Sequence, residues 1–137
     1  MQNLIPKKEE EERRLKALAE YRILGTKPES CYDDITKIAA STCNVPISLM
    51  TLVDKDKQWF KSKVGLEIQE TPRDWSFCTH AIKENSPLII KDAYQDERFI
   101  NNPLVTGDPK IRFYAGFPLK NRDGNKLGTL CVIDRKP

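Results

Sequence analysis

The chain holds a single histidine, His80, and four cysteines, none of them spaced as CxxC. That excludes a Cys/His zinc finger, because tetrahedral zinc takes paired ligands at short spacings. No apolar run approaches the roughly 20 residues that cross a bilayer as a helix. No basic cluster stands out: 23 basic residues against 20 acidic ones leave a net charge of +3. Nucleic-acid binding calls for a clustered positive face, so no nucleic-acid partner is expected. The opening residues 1–14 are dense in charge and lack the apolar segment of a signal peptide. With Cys31, Cys43, Cys78 and Cys131 in no disulfide-like pattern, the expectation is a cytoplasmic chain with reduced thiols. No repeat, low-complexity linker, HExxH, GxSxG or phosphate-loop spacing occurs. Hence no catalytic residue and no metal ligand is assigned, and no cofactor is required.

What is present is ordinary globular material: 137 residues, 39% hydrophobic and 31% charged, enough for one domain with a real core. Residues 1–10 read as a charged extension and residues 11–137 as a single domain. The charged run leads into Leu15, Leu18 and Arg22, a helical spacing with a narrow apolar stripe. Such a helix needs a partner, its own domain or a second copy, and the stripe is read as a homodimer helix. Thr26 to Glu29 has capping-box spacing. The helix that follows is expected to turn Ile35, Ile38, Ala39, Thr42 and Cys43 to the core, and to stop at Asn44 and Pro46.

Alternation predicts strands over residues 47–54 and 58–64, the second closed by Gly65. Residues 66–76 lack periodicity, contain Pro72 and read as a loop. A short helix is expected at 77–83, a short strand at 87–92 and a helical turn at 96–100. Two further strands, 111–119 and 126–134, flank a turn-rich hairpin loop at 121–125. Tightly joined strand pairs argue for an antiparallel sheet. Helices before and between them argue for an α+β fold with helices packed on the sheet faces.

Four segments taken together resemble a GAF domain: Phe77-Cys78-x-His80-Ala81-Ile82, Asp96-x-Arg98-Phe99-x-x-Asn102-Pro103-Leu104-Val105, Ile111-Arg112-Phe113-Tyr114-Ala115-Gly116 and Leu127-Gly128-Thr129-Leu130-Cys131-Val132-Ile133-Asp134. With Arg14-Leu15-x-Ala17-Leu18-x-x-Tyr21-x-Ile23-Leu24 and Pro28-Glu29, the chain is most similar to the subgroup at the head of bacterial, cyanobacterial-type sensor histidine kinases and diguanylate cyclases. The resemblance spans nearly everything from about Glu11. It implies a PAS-like antiparallel sheet and a regulatory role upstream of a kinase or cyclase module. GAF domains usually run on into a C-terminal helix; here the sequence stops at Pro137, directly after the last strand.

Cys78 and His80 are the chemically suggestive pair, but residues at i and i+2 on a helical turn do not face each other. Phytochrome-type GAF domains attach a bilin at an adjacent Cys-His; here Thr79 intervenes. A methionine-sulfoxide reductase would need cysteines converging on one pocket, for which Cys78 and Cys131 are available. The plain alternative is that Cys78 is a small buried apolar residue and His80 a hydrogen-bonded helix residue. Arg73, Arg98 and Arg112, with Asp92 and Asp96, can grip an anionic ligand, or else pin long loops by Arg–Asp pairing. Trp59, Trp75, Phe77, Phe99, Phe113 and Tyr114 can line an apolar cavity or fill the core. The candidate ligand-binding set is therefore Phe77, Cys78, His80, Asp92, Arg98, Asn102, Arg112 and Tyr114.

Three functions follow. The first is a non-enzymatic sensory domain that binds a small molecule and biases a downstream kinase or cyclase. The second is a ligand-free dimerisation and signal-transmission module. The third is a thiol enzyme or bilin photoreceptor using Cys78.

Overall fold

A computed structural model describes residues 7–137. Six strands form one antiparallel sheet: β1 (Ile47–Val53), β2 (Lys57–Val64), β3 (Glu70–Pro72), β4 (Leu88–Ile90), β5 (Phe113–Lys120) and β6 (Lys126–Asp134). Their spatial order is β3-β2-β1-β6-β5-β4. The hairpins β1–β2 and β5–β6 meet at the sheet centre, where β1 lies against β6. The α+β fold is as expected. The long helices α1 (Lys7–Glu20) and α2 (Ser30–Cys43) cover one face of the sheet, and the short helices α3 (Phe77–Ala81) and α4 (Pro103–Thr106) roof the other.

Every residue of β1 is buried because both faces are covered. Ile47, Leu49 and Val53 enter the roof-side core with Phe60, Phe99, Tyr114 and Ile133. Leu52 turns the other way, to Trp59, Leu127, Ala17 and Leu18. Gly128 is what lets the central strands meet here: a Cβ on it would lie 1.8 Å from the Thr51 carbonyl oxygen.

Four expectations need correction. The first concerns α1. It already includes Lys7–Glu10, and residues 1–6 lie outside the described residues. Leu15, Leu18 and Arg22 do not share one exposed face. Leu18 is spent on its own sheet, Leu15 is half-buried, and Arg22 lies beyond the helix end in a left-handed turn with φ 50. Arg14 is buried instead, donating from Nη1 to the Val53 carbonyl at 2.5 Å.

The second concerns the capping box. Helix α2 begins at Ser30 after Glu29, whose side chain makes no capping bond, and Thr26 turns to the Lys61 ammonium at 2.7 Å. The third concerns the face of α2. Ile38 is 65% exposed and Ile35 43%, while Thr36 and Ala40 are buried. The helix is oriented by polar partners: Thr36 Oγ1 and Ser62 Oγ share a hydrogen bond at 2.8 Å, and Ser62 donates to Asp33 Oδ1 at 2.6 Å. Turning the apolar stripe inward would swing Thr36 and Asp33 away and leave the buried Ser62 hydroxyl unpaired.

The fourth concerns residues 66–76. They contain an edge strand, β3, and a 3-10 turn, Arg73–Trp75. Pro72 is tolerated because it ends the outermost strand, where a missing N–H breaks no interior ladder. A bulge at Lys61 in β2, opposite Met50 and Thr51, puts both Lys61 and Ser62 on the helix side. Asn44 ends α2 in the left-handed conformation as expected, with φ 53.

Candidate functional site

A small cavity lies between the roof-side face of the sheet and α3 and α4. Its floor is Leu49, Phe60, Tyr114, Cys131 and Ile133; its roof is Phe77, Cys78 and Leu104; Leu66, Ile68, Pro109 and Ile111 complete the wall. Gln58 and Thr71 are polar but neutral, so no charged side chain faces the space. The volume open to the centre of a water-sized sphere is about 20 Å³, room for one water molecule.

Local hydrogen bonding holds the roof. Ser76 caps α3 by accepting from the Thr79 amide at 3.1 Å, and its hydroxyl donates to Gln58 Oε1 at 2.6 Å. Gln58 Nε2 in turn donates to Thr71 Oγ1 at 3.1 Å, tying α3 to β2 and β3. The Phe77 ring stacks on Phe99 with centroids 4.0 Å apart and tilts against Tyr114 at 5.1 Å.

Deep in the cavity two thiols meet. Cys78 and Cys131 are buried and line the same space: Cys78 Sγ is held by Thr129, two residues before Cys131 on β6, and by Tyr114, whose hydroxyl lies over Gly116, the β5 residue paired with Cys131. The Tyr114 hydroxyl donates to Cys78 Sγ at 3.2 Å and the Thr129 hydroxyl at 3.0 Å. Thr129 in turn lies 3.1 Å from the Thr51 hydroxyl. Burial pushes the Cys78 thiol up. The neighbouring Cys131 thiol and the Thr129, Thr51 and Tyr114 hydroxyls outweigh it, so the pair's first proton leaves from Cys78 below the usual thiol range. The neighbouring Cys78, with burial, pushes Cys131 the other way, well above that range. Gly116 makes the arrangement possible: a Cβ there would lie 2.1 Å from the Tyr114 hydroxyl.

Of the eight candidate ligand residues, the fold brings Phe77, Cys78 and Tyr114 to the cavity. The other five lie outside its lining. Arg112 pairs with Asp92 through two bonds of 2.8 and 2.9 Å and stacks 3.8 Å over Tyr94. That guanidinium is the main cause holding the Asp92 carboxyl below its ordinary range. Arg98 grips Asp96 at 2.7 and 3.0 Å. Asn102 caps α4 and donates to the Trp75 carbonyl at 3.0 Å. His80 lies half-buried and edge-on to Phe99 at 4.9 Å, and burial lowers its pKa. Arg73 binds Glu11 of α1 at 2.6 Å. Among the aromatics, Trp59 packs on the opposite face and Trp75 is exposed.

Leu49, Gln58, Leu66, Thr71, Leu104 and Ile111 were missed as lining residues. Strand alternation gave a usable signal for Leu49 and for Gln58, two residues from Phe60 in β2; Leu66, Leu104 and Ile111 depend on how the loops fold back, and Thr71 on the edge strand β3. Among the described residues, no group of three His, Cys, Asp or Glu side chains is placed to hold a metal.

An antiparallel sheet in this strand order, with long helices on one face and a short-helix roof over a cavity on the other, defines a GAF-type architecture. The chain belongs to the GAF domain family, whose model matches residues 27–137. It is similar to a cyclic di-GMP phosphodiesterase of Pseudomonas aeruginosa, 41% identical over 96% of this chain. The match spans only 22% of that relative's length. Among solved structures, the GAF domain of an Acinetobacter phosphoenolpyruvate-protein phosphotransferase superposes with TM-score 0.61 at 16% identity, covering 100% of this chain and 80% of that one. A type II free methionine-R-sulfoxide reductase from Thermoplasma acidophilum does so with TM-score 0.63 at 13% identity, covering 87% and 78%. At such identities the likeness is one of fold.

Proposed function

We propose that this chain is a non-catalytic regulatory module of a larger bacterial signalling protein, sensing a small apolar or weakly polar molecule in the roofed cavity. The observation that carries this reading is the cavity itself: neutral, largely apolar, with Gln58, Thr71 and Tyr114 as its few polar groups. A ligand larger than water must displace the roof, and roof position is what a downstream module reads. The output is a cyclic di-GMP phosphodiesterase, a diguanylate cyclase or a histidine kinase. The first is supported by the Pseudomonas relative, the others by the subgroup resemblance. The test is mass spectrometry of the purified chain under native and denaturing conditions. Extra mass in the native spectrum alone supports the sensor. A chain that stays unliganded from every expression host and gains no thermal stability from a metabolite library sinks it.

A second reading has its own observation. The exposed apolar face of α2, Ile35 and Ile38, fits a symmetric contact with a second copy of the chain. Sedimentation of wild type against Ile38→Glu tests it: a dimer that dissociates on substitution supports transmission through α2, and a wild-type monomer at all concentrations refutes it.

A further inference from the structure

The ligand-sensing reading gives no task to the two thiols at the base of the cavity. Cys78 comes from the roof and Cys131 from the middle of β6, yet both line the same small cavity, and Cys78 Sγ lies 3.0 Å from the hydroxyl of Thr129, which shares a strand face with Cys131 two residues on. Two hydroxyls, from Tyr114 and Thr129, point their protons at Cys78 Sγ. The only other cysteines, Cys31 and Cys43, are exposed on α2. The space beside the buried thiols admits one water-sized molecule and presents no charged side chain.

We infer that Cys78 and Cys131 form a peroxide-reactive pair, in which hydrogen peroxide oxidises Cys78 and Cys131 converts the product to an internal disulfide.

The steps balance. The Cys78 thiolate attacks one peroxide oxygen; an S–O bond forms and the O–O bond breaks. The leaving hydroxide takes the proton released by Cys78 and departs as water, leaving a sulfenic acid. Cys131 sulfur then attacks Cys78 sulfur. The S–S bond forms, the S–O bond breaks, and hydroxide leaves as a second water with the Cys131 proton. Two thiols lose two electrons in all, and one peroxide is reduced to two waters.

Each feature of the site serves one of these steps. The hydroxyl donors favour the thiolate, which is the nucleophile, and the lowered pKa of Cys78 agrees with that. Cys131, held protonated, stays unreactive toward peroxide and waits to resolve. Size and neutrality choose the oxidant. Hydrogen peroxide is uncharged and close to water in size, whereas glutathione disulfide or a charged hydroperoxide would shed its hydration on entry. The disulfide would staple the roof helix α3 to the sheet floor, so oxidation would lock the roof whose movement the sensor reading requires.

The experiment treats the full chain with hydrogen peroxide, quenches it, unfolds it, alkylates the free thiols and maps peptides. The expected result is loss of free thiol at Cys78 and Cys131 together and a cross-linked peptide joining them. A Cys31→Ser/Cys43→Ser background should give the same cross-link. In that background, Cys131→Ser should stop at a Cys78 sulfenic acid that dimedone captures. Free Cys78 and Cys131 after a dose that oxidises Cys31 and Cys43 would overturn the proposal, as would a cross-link to any other cysteine. The wild-type map decides the matter even if a variant fails to fold. Neither result bears on whether a ligand binds.

Discussion

Ser48 is fully buried in β1, and its hydroxyl is the one buried side-chain polar atom without a hydrogen-bond partner among the described residues. An unpaired buried hydroxyl costs about 1–3 kcal/mol. Ser48→Ala is therefore expected to raise stability by about 1 kcal/mol, read from urea denaturation; a loss of stability would mean the hydroxyl holds an ordered water. Lys61 is the opposite case. Its ammonium is buried but fully engaged, by Glu29 at 2.6 Å, the Lys27 carbonyl at 2.6 Å and Thr26 at 2.7 Å. It clips the segment before α2 onto the bulged strand. Lys61→Met keeps the stem volume but removes three charge-assisted contacts that hold residues 26–29 to the strand, so a loss of about 1–3 kcal/mol is expected in the same assay. Composition could not have separated these two residues, because each is defined by what surrounds it.

Helix α1 is held to the sheet at both ends of its inner face, by Leu18 against Trp59 and by Glu11 between Arg14 and Arg73. Partial burial pushes the Glu11 carboxyl up. The two guanidinium groups outweigh that and bring it down to about 2 from 4.5. The sign follows from linkage: a carboxylate with a depressed native pKa stabilises fully above its unfolded value. That contribution fades as pH falls from 4.5 toward 2. Wild type should thus be more stable than Glu11→Gln at neutral pH, and the gap should close across that acid window. Thermal unfolding of both proteins from pH 7 downward checks this, and a constant gap would contradict the ion-pair account. At this scale the sequence was read well where local chemistry decides, as in the Asn44 stop and the strand over Lys126–Asp134. It was misread for α2, where Ile35 and Ile38 carry the spacing of a core stripe, yet Thr36 and Asp33 find their partners in Ser62 across the interface.

For the whole molecule the decisive contact is between β1 and β6, the strands that separate the two cores. Gly128→Ala would drive a methyl group into the Thr51 carbonyl, next to the Leu52–Gly128 pair that closes one end of that ladder. Both cores depend on it, so a loss of about 3 kcal/mol or more is expected, with near-UV signals from both faces lost together. Loss of the α1 side alone would show that the faces unfold independently.

Alternation, turn residues and helix stops act over a few residues and so gave an α+β sheet; the resemblance of the ordered segments from Phe77-Cys78 to Val132-Ile133-Asp134 gave the GAF family. The candidate site was legible only where a strand or short helix aims a side chain by local geometry, as for Phe77, Cys78 and Tyr114. Arg98, Arg112 and Asp92 had the right chemistry for a ligand, but the loops brought Arg98 to Asp96 and Arg112 to Asp92. The meeting of Cys78 with Cys131, Thr129 and Tyr114 joins residues up to 53 positions apart. Sequence alone determined which elements form and which family they build. Tertiary structure decided which polar groups are spent on each other and which face the cavity, because that depends on distances set only when the sheet closes and the roof packs onto it.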